Sequence, residues 1–138
     1  PSIQINPTVG TPTGTSVGEK VVELKKRIQD TETFANSIIH SIRETARQVM
    51  PSGSRVILFG SQARGDAHHE SDWDILILLD KSRIYNEDFD RVAYPLVELG
   101  WKIGADINPL IYTYTDWQRR SFTLFYKNVE QEGIELCH

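Results

Sequence analysis

Apolar residues recur at helical spacing through the first third of the chain, from Glu19 to Met50. They form two successive stripes, Val21, Val22, Leu24 and Ile28, then Phe34, Ile38, Ile42, Ala46 and Val49. Such spacing is typical of an amphipathic helix. The phase of the pattern slips near Asp30, an acceptable N-terminal cap, so the pattern predicts two helices or one kinked helix. Proline disfavours helical backbone at the residue before it, so this segment should end before Pro51.

Three short apolar runs follow and predict β-strands. The run RVILF (residues 55–59) comes after the turn PSGS, and its unbroken apolar character indicates burial on both faces. The second run, WDILILL, spans Trp73–Leu79. The third run, ADINPLIY (residues 105–112), contains Pro109, which cannot donate a backbone hydrogen bond. This proline therefore predicts either that the strand lies at the edge of a sheet or that pairing stops there.

Helical spacing returns on either side of the third run. Apolar residues predict a helix over residues 87–99, in which Pro95 implies a kink or an early stop. A closing helical region covers residues 116–131 and ends at Gly133. The pattern therefore predicts a domain that mixes strands and helices.

The start of the chain has a different composition. Residues 1–18 are rich in Pro, Gly, Thr and Ser and carry no charged side chain, which predicts a leader. Within it, the alternation of Ile3 and Ile5 with polar residues favours a short strand added to a sheet edge. Residues 19–138 have the length of a single domain.

Composition also narrows the classes of function. The formal net charge of −4 argues against a chain that coats nucleic acid by bulk attraction. The one cysteine, Cys137, allows no internal disulfide, as expected in a reducing, cytoplasmic setting. No apolar stretch reaches ~18 residues, so no membrane segment is predicted.

Two carboxylates stand at the start of the second apolar run. Residues two apart on a strand point to the same side, so Asp72 and Asp74 project together while Trp73 points away. Like charges repel, and burying the pair beside apolar residues is costly unless cations or hydrogen-bond donors compensate. A pair of hard divalent ions such as Mg²⁺ is the usual compensation for clustered carboxylates.

The turn after the first strand offers donors for phosphate. Gly60 lets the backbone approach closely, and successive N–H groups there, with the Ser61 hydroxyl, can hold phosphate oxygens. Arg64 suits a bidentate contact with phosphate. A third carboxylate, Asp106, completes the set if its strand lies beside the second strand. Three carboxylates, two metal ions and a triphosphate cradle are the parts of in-line nucleotidyl transfer.

The spacing of these residues resembles that of a known protein family. Gly60-Ser61, ten residues, and then Asp72-x-Asp74 resembles the signature of the DNA polymerase β-like nucleotidyltransferase superfamily. The fuller sequence GSQARGD…SDWDILIL is most similar to its minimal nucleotidyltransferase branch, small prokaryotic proteins often paired with a HEPN-family partner and in some cases acting as antitoxins. The resemblance implies an α/β (α+β) nucleotidyltransferase fold, a short mixed sheet with helices packed mainly on one face.

The resemblance also implies an activity and its residues. Gly60 and Ser61 would bind the triphosphate of a nucleoside triphosphate, with Arg64 as a further phosphate contact. The catalytic, metal-binding residues would be Asp72, Asp74 and Asp106, with two Mg²⁺ ions as the cofactor and Asp106 beside the nucleophile. The implied reaction transfers a nucleoside monophosphate, AMP from ATP as the first choice, to an acceptor hydroxyl. A protein tyrosine or a partner toxin is the first acceptor to test.

A rival interpretation belongs to another class of function. A non-catalytic module could bind nucleotide, or mask a HEPN-type partner, without transferring anything. The small size of the chain favours this rival, whereas three convergent carboxylates favour the enzyme. A polymerase role comes third, and a nucleic-acid partner is not expected, because no basic channel or second domain is visible. The sequence leaves a homo-oligomer open.

Overall fold

The computed structural model of the chain describes residues 17–68 and 71–137. Nearly all of the leader predicted over residues 1–18, with its Ile3 and Ile5 strand, lies outside the described residues. The chain divides into two compact units, one up to Asn36 and the other from Ser37 onward. The assignment of residues 19–138 to a single domain stays a prediction.

The first helix, α1, covers Val17–Val49 and ends before Pro51 as predicted. The alternative of two helices separated near Asp30 is wrong, because the helical backbone continues through that residue. No glycine or proline interrupts residues 19–49, so nothing in the backbone forces a break there. The hydroxyl of Thr31 also donates to the carbonyl oxygen of Arg27, four positions earlier, at 3.0 Å.

The two apolar stripes of α1 differ in burial. In the first unit, the large apolar side chains are exposed: Val21, Val22, Leu24, Ile28 and Phe34. In the second unit, Ile38, Ile42 and Ala46 are buried. Within the second unit, these three residues of the second stripe therefore contribute to the core.

A four-stranded sheet forms the centre of the second unit. Its strands are β1 (Arg55–Phe59), β2 (Trp73–Leu79), β3 (Ile107–Thr113) and β4 (Ile134–Cys137). The strand order is β3–β2–β1–β4. β1 is antiparallel to β2 and to β4, whereas β2 and β3 are parallel. The first three strands were predicted, including the edge position of the proline-containing strand, and β4 was not. The alternative that pairing stops at Pro109 is wrong, because β3 stays paired with β2 up to Thr113.

Short helices connect the strands. They are α2 (Ser61–Arg64), α3 (Asn86–Asp88), a π-helical turn (Phe89–Ala93), α4 (Tyr94–Ile103), α5 (Tyr114–Arg119) and α6 (Leu124–Glu132). Pro95 does not stop the helix predicted over residues 87–99. It lies in the first turn of α4, directly after the π-helical turn, where its missing N–H needs no partner. The closing helical region is two helices, and Gly133 follows the second as predicted.

The two faces of the sheet carry different side chains and pack against different helices. One face, called the site face, carries Ile57, Phe59, Asp74, Leu76 and Leu78, since antiparallel register pairs Ile57 with Leu76 and Phe59 with Asp74. Three of these side chains, Ile57, Leu76 and Leu78, are buried in one cluster with Trp117 of α5 and Val129 of α6.

The opposite face packs against α4. Gly100 of that helix lies so near β3 that an added β-carbon would be 3.4 Å from Ile107 Cγ1. The molecule is thus a mixed α+β fold around a four-stranded mixed sheet, which confirms the predicted fold class. Among residues 17–68 and 71–137, none of the helices combines the length and the apolar character that a membrane-spanning helix requires.

Candidate active site

The turn after β1, which begins at Gly60, lies in close contact with the carboxylate of Asp74 on β2. Gly60 has φ of 78°, a region that residues with side chains rarely adopt. A β-carbon on Gly60 would lie 2.5 Å from Oδ2 of Asp74. Glycine at this position therefore gives the turn its conformation and keeps the space beside the Asp74 carboxylate open.

The turn leads directly into α2, which holds it close to the strand that follows. The N–H groups of Ala63 and Arg64 each donate to the carbonyl oxygen of Gly60 at 3.1 Å. Gln62 Nε2 donates to the carbonyl oxygen of Ser71 at 3.3 Å. Because Ser71 directly precedes Asp72, this bond connects the Gly60 turn with the carboxylate segment.

Asp72 and Asp74 lie at the end of β2 that adjoins the turn. Burial raises the pKa of Asp74, and the charge of Asp72 raises it further, while Arg64 acts in the opposite direction. The two carboxylates are therefore close enough to repel each other, and the guanidinium of Arg64 is close enough to offset part of that repulsion. Arg64 also forms an exposed ion pair with Asp66, 3.2 Å between Nε and Oδ2.

Asp106 stands beside the carboxylate pair on the neighbouring strand. The N–H of Trp73 donates to the carbonyl oxygen of Asp106 at 2.7 Å, and Trp73 is in register with Ile107. Asp72 and Asp106 each come one residue before this pair, so the same parallel register places them side by side. Neighbouring strands of a sheet are about 4.8 Å apart. Since side chains alternate along a strand, Asp72, Asp74 and Asp106 belong to the site face.

Sequence reasoning missed Asn108, which is in register with Asp74. Asn108 follows Asp106 by two positions and therefore belongs to the same face of the sheet. Its side chain is exposed and offers both a carbonyl oxygen and an amide donor. The two-residue spacing after Asp106 was the signal that could have identified it.

The donor set at this edge suits a hard cation. Within residues 17–68 and 71–137, no three His, Cys, Asp or Glu side chains are gathered closely enough to hold a metal ion as they stand. The oxygen ligands available are nevertheless of the kind that Mg²⁺ prefers. The raised pKa of Asp74 also reflects a repulsion that a cation would relieve.

A cleft of about 210 Å³ opens from the Gly60 turn toward α6. Its lining combines residues of β1, the turn, α2 and α6, namely Phe59, Gly60, Arg64, Phe125, Asn128, Val129 and Glu132. The α6 residues are more than 60 positions from Gly60 in the sequence, and no motif pointed to them.

Comparison with known families identifies the class of protein that these features define. The model of a family described as the nucleotidyltransferase domain matches residues 39–133, a range that includes every candidate site residue. The chain therefore belongs to the nucleotidyltransferase domain family, and it is a nucleotidyltransferase. The predicted resemblance to nucleotidyltransferases is thereby confirmed.

Several curated proteins resemble the chain in sequence. Two proteins of Methanocaldococcus jannaschii that are named protein adenylyltransferases are 39% and 38% identical to it over 82 residues. These alignments cover 59% of this chain and 76% and 77% of the respective relatives. A bifunctional uridylyltransferase/uridylyl-removing enzyme of Pseudomonas entomophila is 28% identical over 91 residues, which cover 66% of this chain and 10% of that enzyme.

Solved structures share the fold. A chain from the crystal structure of a toxin–antitoxin with AMP-PNP superposes with a TM-score of 0.51 at 23% identity. A toxin–antitoxin variant in which two aspartates two positions apart are changed to glutamate superposes with the same TM-score at 21% identity. Each match covers 72% of this chain and 72% of the other chain.

Proposed function

We propose that the chain catalyses Mg²⁺-dependent transfer of AMP from ATP to an acceptor hydroxyl, with release of pyrophosphate. The observation that carries this proposal is the close approach of Gly60 to the Asp74 carboxylate, with Asp72 and Asp106 alongside. It supports a site in which a phosphate-binding turn and metal-binding carboxylates meet. The choice of AMP is supported by the relatives that are named adenylyltransferases and by the neighbour solved with AMP-PNP.

Each residue of this site has a role in the proposal. Gly60 and Ser61 hold the triphosphate through backbone N–H groups and a hydroxyl, and Arg64 adds a positive charge. Asp72, Asp74 and Asp106 hold two Mg²⁺ ions through carboxylate oxygens. When bound, the ions lower the pKa of the attacking hydroxyl and neutralise charge on the leaving pyrophosphate.

The reaction exchanges one phosphate bond for another. The acceptor oxygen forms a bond to the α-phosphorus, the bond from the α-phosphorus to the bridging oxygen of the β-phosphate breaks, and pyrophosphate leaves. The proton of the acceptor hydroxyl is lost to a carboxylate of the site or to solvent. The contribution of the chain is to hold both reactants in line, which is how most of the barrier is lowered in such transfers.

The acceptor in this proposal is a hydroxyl on a partner protein, with tyrosine as the first side chain to test. The names of the two adenylyltransferase relatives support a protein acceptor, and the toxin–antitoxin structures support a partner. A HEPN-family toxin encoded next to this chain is the candidate partner that the family resemblance supplies.

The second candidate function is masking of such a partner without chemistry. The exposed apolar side chains of the first unit, Val21, Leu24 and Ile28 among them, favour a protein contact but require no catalysis. The two candidates therefore differ in whether the carboxylates matter for the effect on the partner.

A labelled-nucleotide experiment decides between the two. The chain and the protein encoded next door are incubated with Mg²⁺ and ATP labelled either on the α-phosphate or on the γ-phosphate. We expect only the α-label to reach protein, and Asp72→Asn and Asp74→Asn to abolish the transfer. Asp90→Asn, an exposed carboxylate on the π-helical turn, is the matched control and should transfer label like the wild type. Inhibition of the neighbour that survives both site substitutions, with no label transferred, would instead establish masking.

A further inference from the structure

The cleft beside the Gly60 turn is continuous with the proposed phosphate site. Gly60 and Arg64 line the cleft and also belong to the turn and helix that approach the carboxylates. Its volume of about 210 Å³ is below the roughly 300–1,000 Å³ of pockets that enclose a whole drug-sized ligand. The cleft therefore suits one part of a nucleotide whose phosphates remain at the turn.

One wall of the cleft is aromatic and held in place by its neighbours. The rings of Phe59 and Phe125 meet edge to face, with 5.5 Å between their centroids. Phe125 meets Trp117 in the same way at 5.6 Å, and Trp117 is fully buried. Such a wall offers a fixed apolar surface to a flat ring, and packing of a base on an aromatic side chain is a common source of affinity.

The polar part of the cleft lining comes from α6, the helix that also carries Phe125. Asn128 and Glu132 are four positions apart on α6, so their side chains are neighbours on the same face. In the part of the chain that the structure describes, neither side chain has a hydrogen bond or an ion pair. Both groups are therefore available to a ligand.

The hydrogen bonds that Asn128 and Glu132 can form differ between nucleobases. Asn128 can donate and accept at the same time, whereas the Glu132 carboxylate only accepts. Adenine presents an amino donor next to a ring-nitrogen acceptor, the pattern that asparagine binds in a bidentate manner. Guanine presents only acceptors on the corresponding edge, and its oxygen would face the carboxylate of Glu132.

We propose that this cleft is the nucleobase subsite of the enzyme and that Asn128 and Glu132 select adenine against the packed ring of Phe125. The proposal rests on the proposed function, because it assumes that the triphosphate lies at the Gly60 turn. It adds two residues of α6 that determine specificity without belonging to the metal or phosphate site.

Equilibrium binding tests the subsite independently of transfer. The affinities of ATP, GTP, UTP and inorganic tripolyphosphate are measured by calorimetry with the full chain in Mg²⁺. We expect the wild type to prefer ATP over GTP and UTP by about tenfold or more. Asn128→Ala and the isosteric Glu132→Gln should each reduce this preference at least several-fold while tripolyphosphate affinity stays unchanged. Lys127→Ala, an exposed position on the same helix outside the cleft, is the matched control and should keep the wild-type preference.

The outcomes separate this proposal from the one on which it rests. An unchanged ATP preference in Asn128→Ala and Glu132→Gln, with both variants folded by circular dichroism, would overturn the subsite and leave the transfer proposal standing. Equal wild-type affinity for all three nucleotides and tripolyphosphate would overturn it as well. Selective ATP binding that these substitutions remove, in a chain that transfers no label, would support the subsite and overturn the proposed function.

Discussion

Gly60 and Asp74 face each other across the β1–β2 pair so closely that a β-carbon on the glycine would lie 2.5 Å from the aspartate Oδ2. Phe59, the last residue of β1, is in register with Asp74, so the turn begins directly opposite the carboxylate. Only a residue without a side chain can occupy that position while Asp74 keeps its place. The Gly-Ser turn and the Asp-x-Asp pair therefore form one structural feature.

Replacement of Gly60 by alanine should strongly reduce activity by displacing Asp74. The substitution adds strain, because φ is 78°, and it adds a contact with the carboxylate that no real β-carbon makes. We expect nucleotidyl transfer to fall by a hundredfold or more, on the order of the loss when a reacting group is misplaced by about 1 Å. A radiolabel transfer assay measures it.

Gly104→Ala separates displacement of Asp74 from backbone strain. Gly104 has φ of 73° at the end of α4, and an added β-carbon there would meet nothing within 4 Å. Both variants should lose roughly 1 kcal/mol of stability in urea denaturation, but Gly104→Ala should keep its activity. Equal loss of activity in the two variants would attribute the effect to strain and not to Asp74.

The negative charge of Asp74 should destabilise the folded protein when no metal ion is bound. Because burial and Asp72 raise its folded pKa, the folded chain holds this proton more tightly than the unfolded chain does. The stability that protonated Asp74 adds to the folded state is fully present below the pKa of this residue in the unfolded chain. That stability is lost as the pH rises through the pKa of Asp74 in the folded chain. Asp74→Asn should therefore be at least as stable as the wild type at pH 7 in EDTA, measured as the thermal midpoint.

In Mg²⁺ the wild type should instead have a higher thermal midpoint than Asp74→Asn. A cation bound by Asp72 and Asp74 removes their repulsion and stabilises the folded state by mass action. We expect Mg²⁺ to raise the midpoint of the wild type and to raise that of Asp74→Asn less, whereas Asp90→Asn should respond like the wild type. The same Mg²⁺-induced shift in Asp74→Asn and the wild type would count against metal binding at this carboxylate.

Asp88 should stabilise the fold with the opposite pH dependence. Its buried carboxylate accepts hydrogen bonds from Lys81 Nζ at 2.8 Å to each oxygen and from the N–H of Tyr85 at 2.7 Å. Lys81, then the Tyr85 N–H, lower the pKa of Asp88. The stabilisation is therefore present above the unfolded pKa of about 4 and is lost as the pH falls through the folded value.

Asp88→Asn measures that contribution. We expect a loss of about 2 kcal/mol at pH 7, because hydrogen bonds to a charged group are replaced by weaker ones. Urea denaturation at pH 7 and at pH 3 gives the comparison, and the difference between variant and wild type should shrink at the lower pH. The exposed Asp90→Asn is the control, and a difference that does not change with pH would contradict the assignment to the Asp88 charge.

The strands and the carboxylate end of the site could be predicted because their determinants are local. Unbroken apolar runs indicate buried strands, and Pro109 correctly indicated an edge position for β3. The strand β4 has only four residues and depends on hydrogen bonds from β1, so its local pattern carried little information. The cleft residues Asn128 and Glu132 were missed for a related reason, since tertiary packing brings α6 to the Gly60 turn.

The position of Asn108 beside Asp74 gives a further prediction about metal affinity. The register of β2 and β3 pairs these two residues, so the amide oxygen of Asn108 belongs to the face on which the metal ions are proposed to bind. Asn108→Ala should raise the Mg²⁺ concentration needed for half-maximal transfer several-fold, whereas Asn108→Asp should preserve or lower it, because it adds a charged oxygen ligand. Leu110→Ala, on the same face of the same strand, is the control and should keep the wild-type Mg²⁺ requirement. If Asn108→Ala titrates with Mg²⁺ like the wild type, the amide contributes nothing to the metal site, and its register with Asp74 is a matter of strand pairing alone.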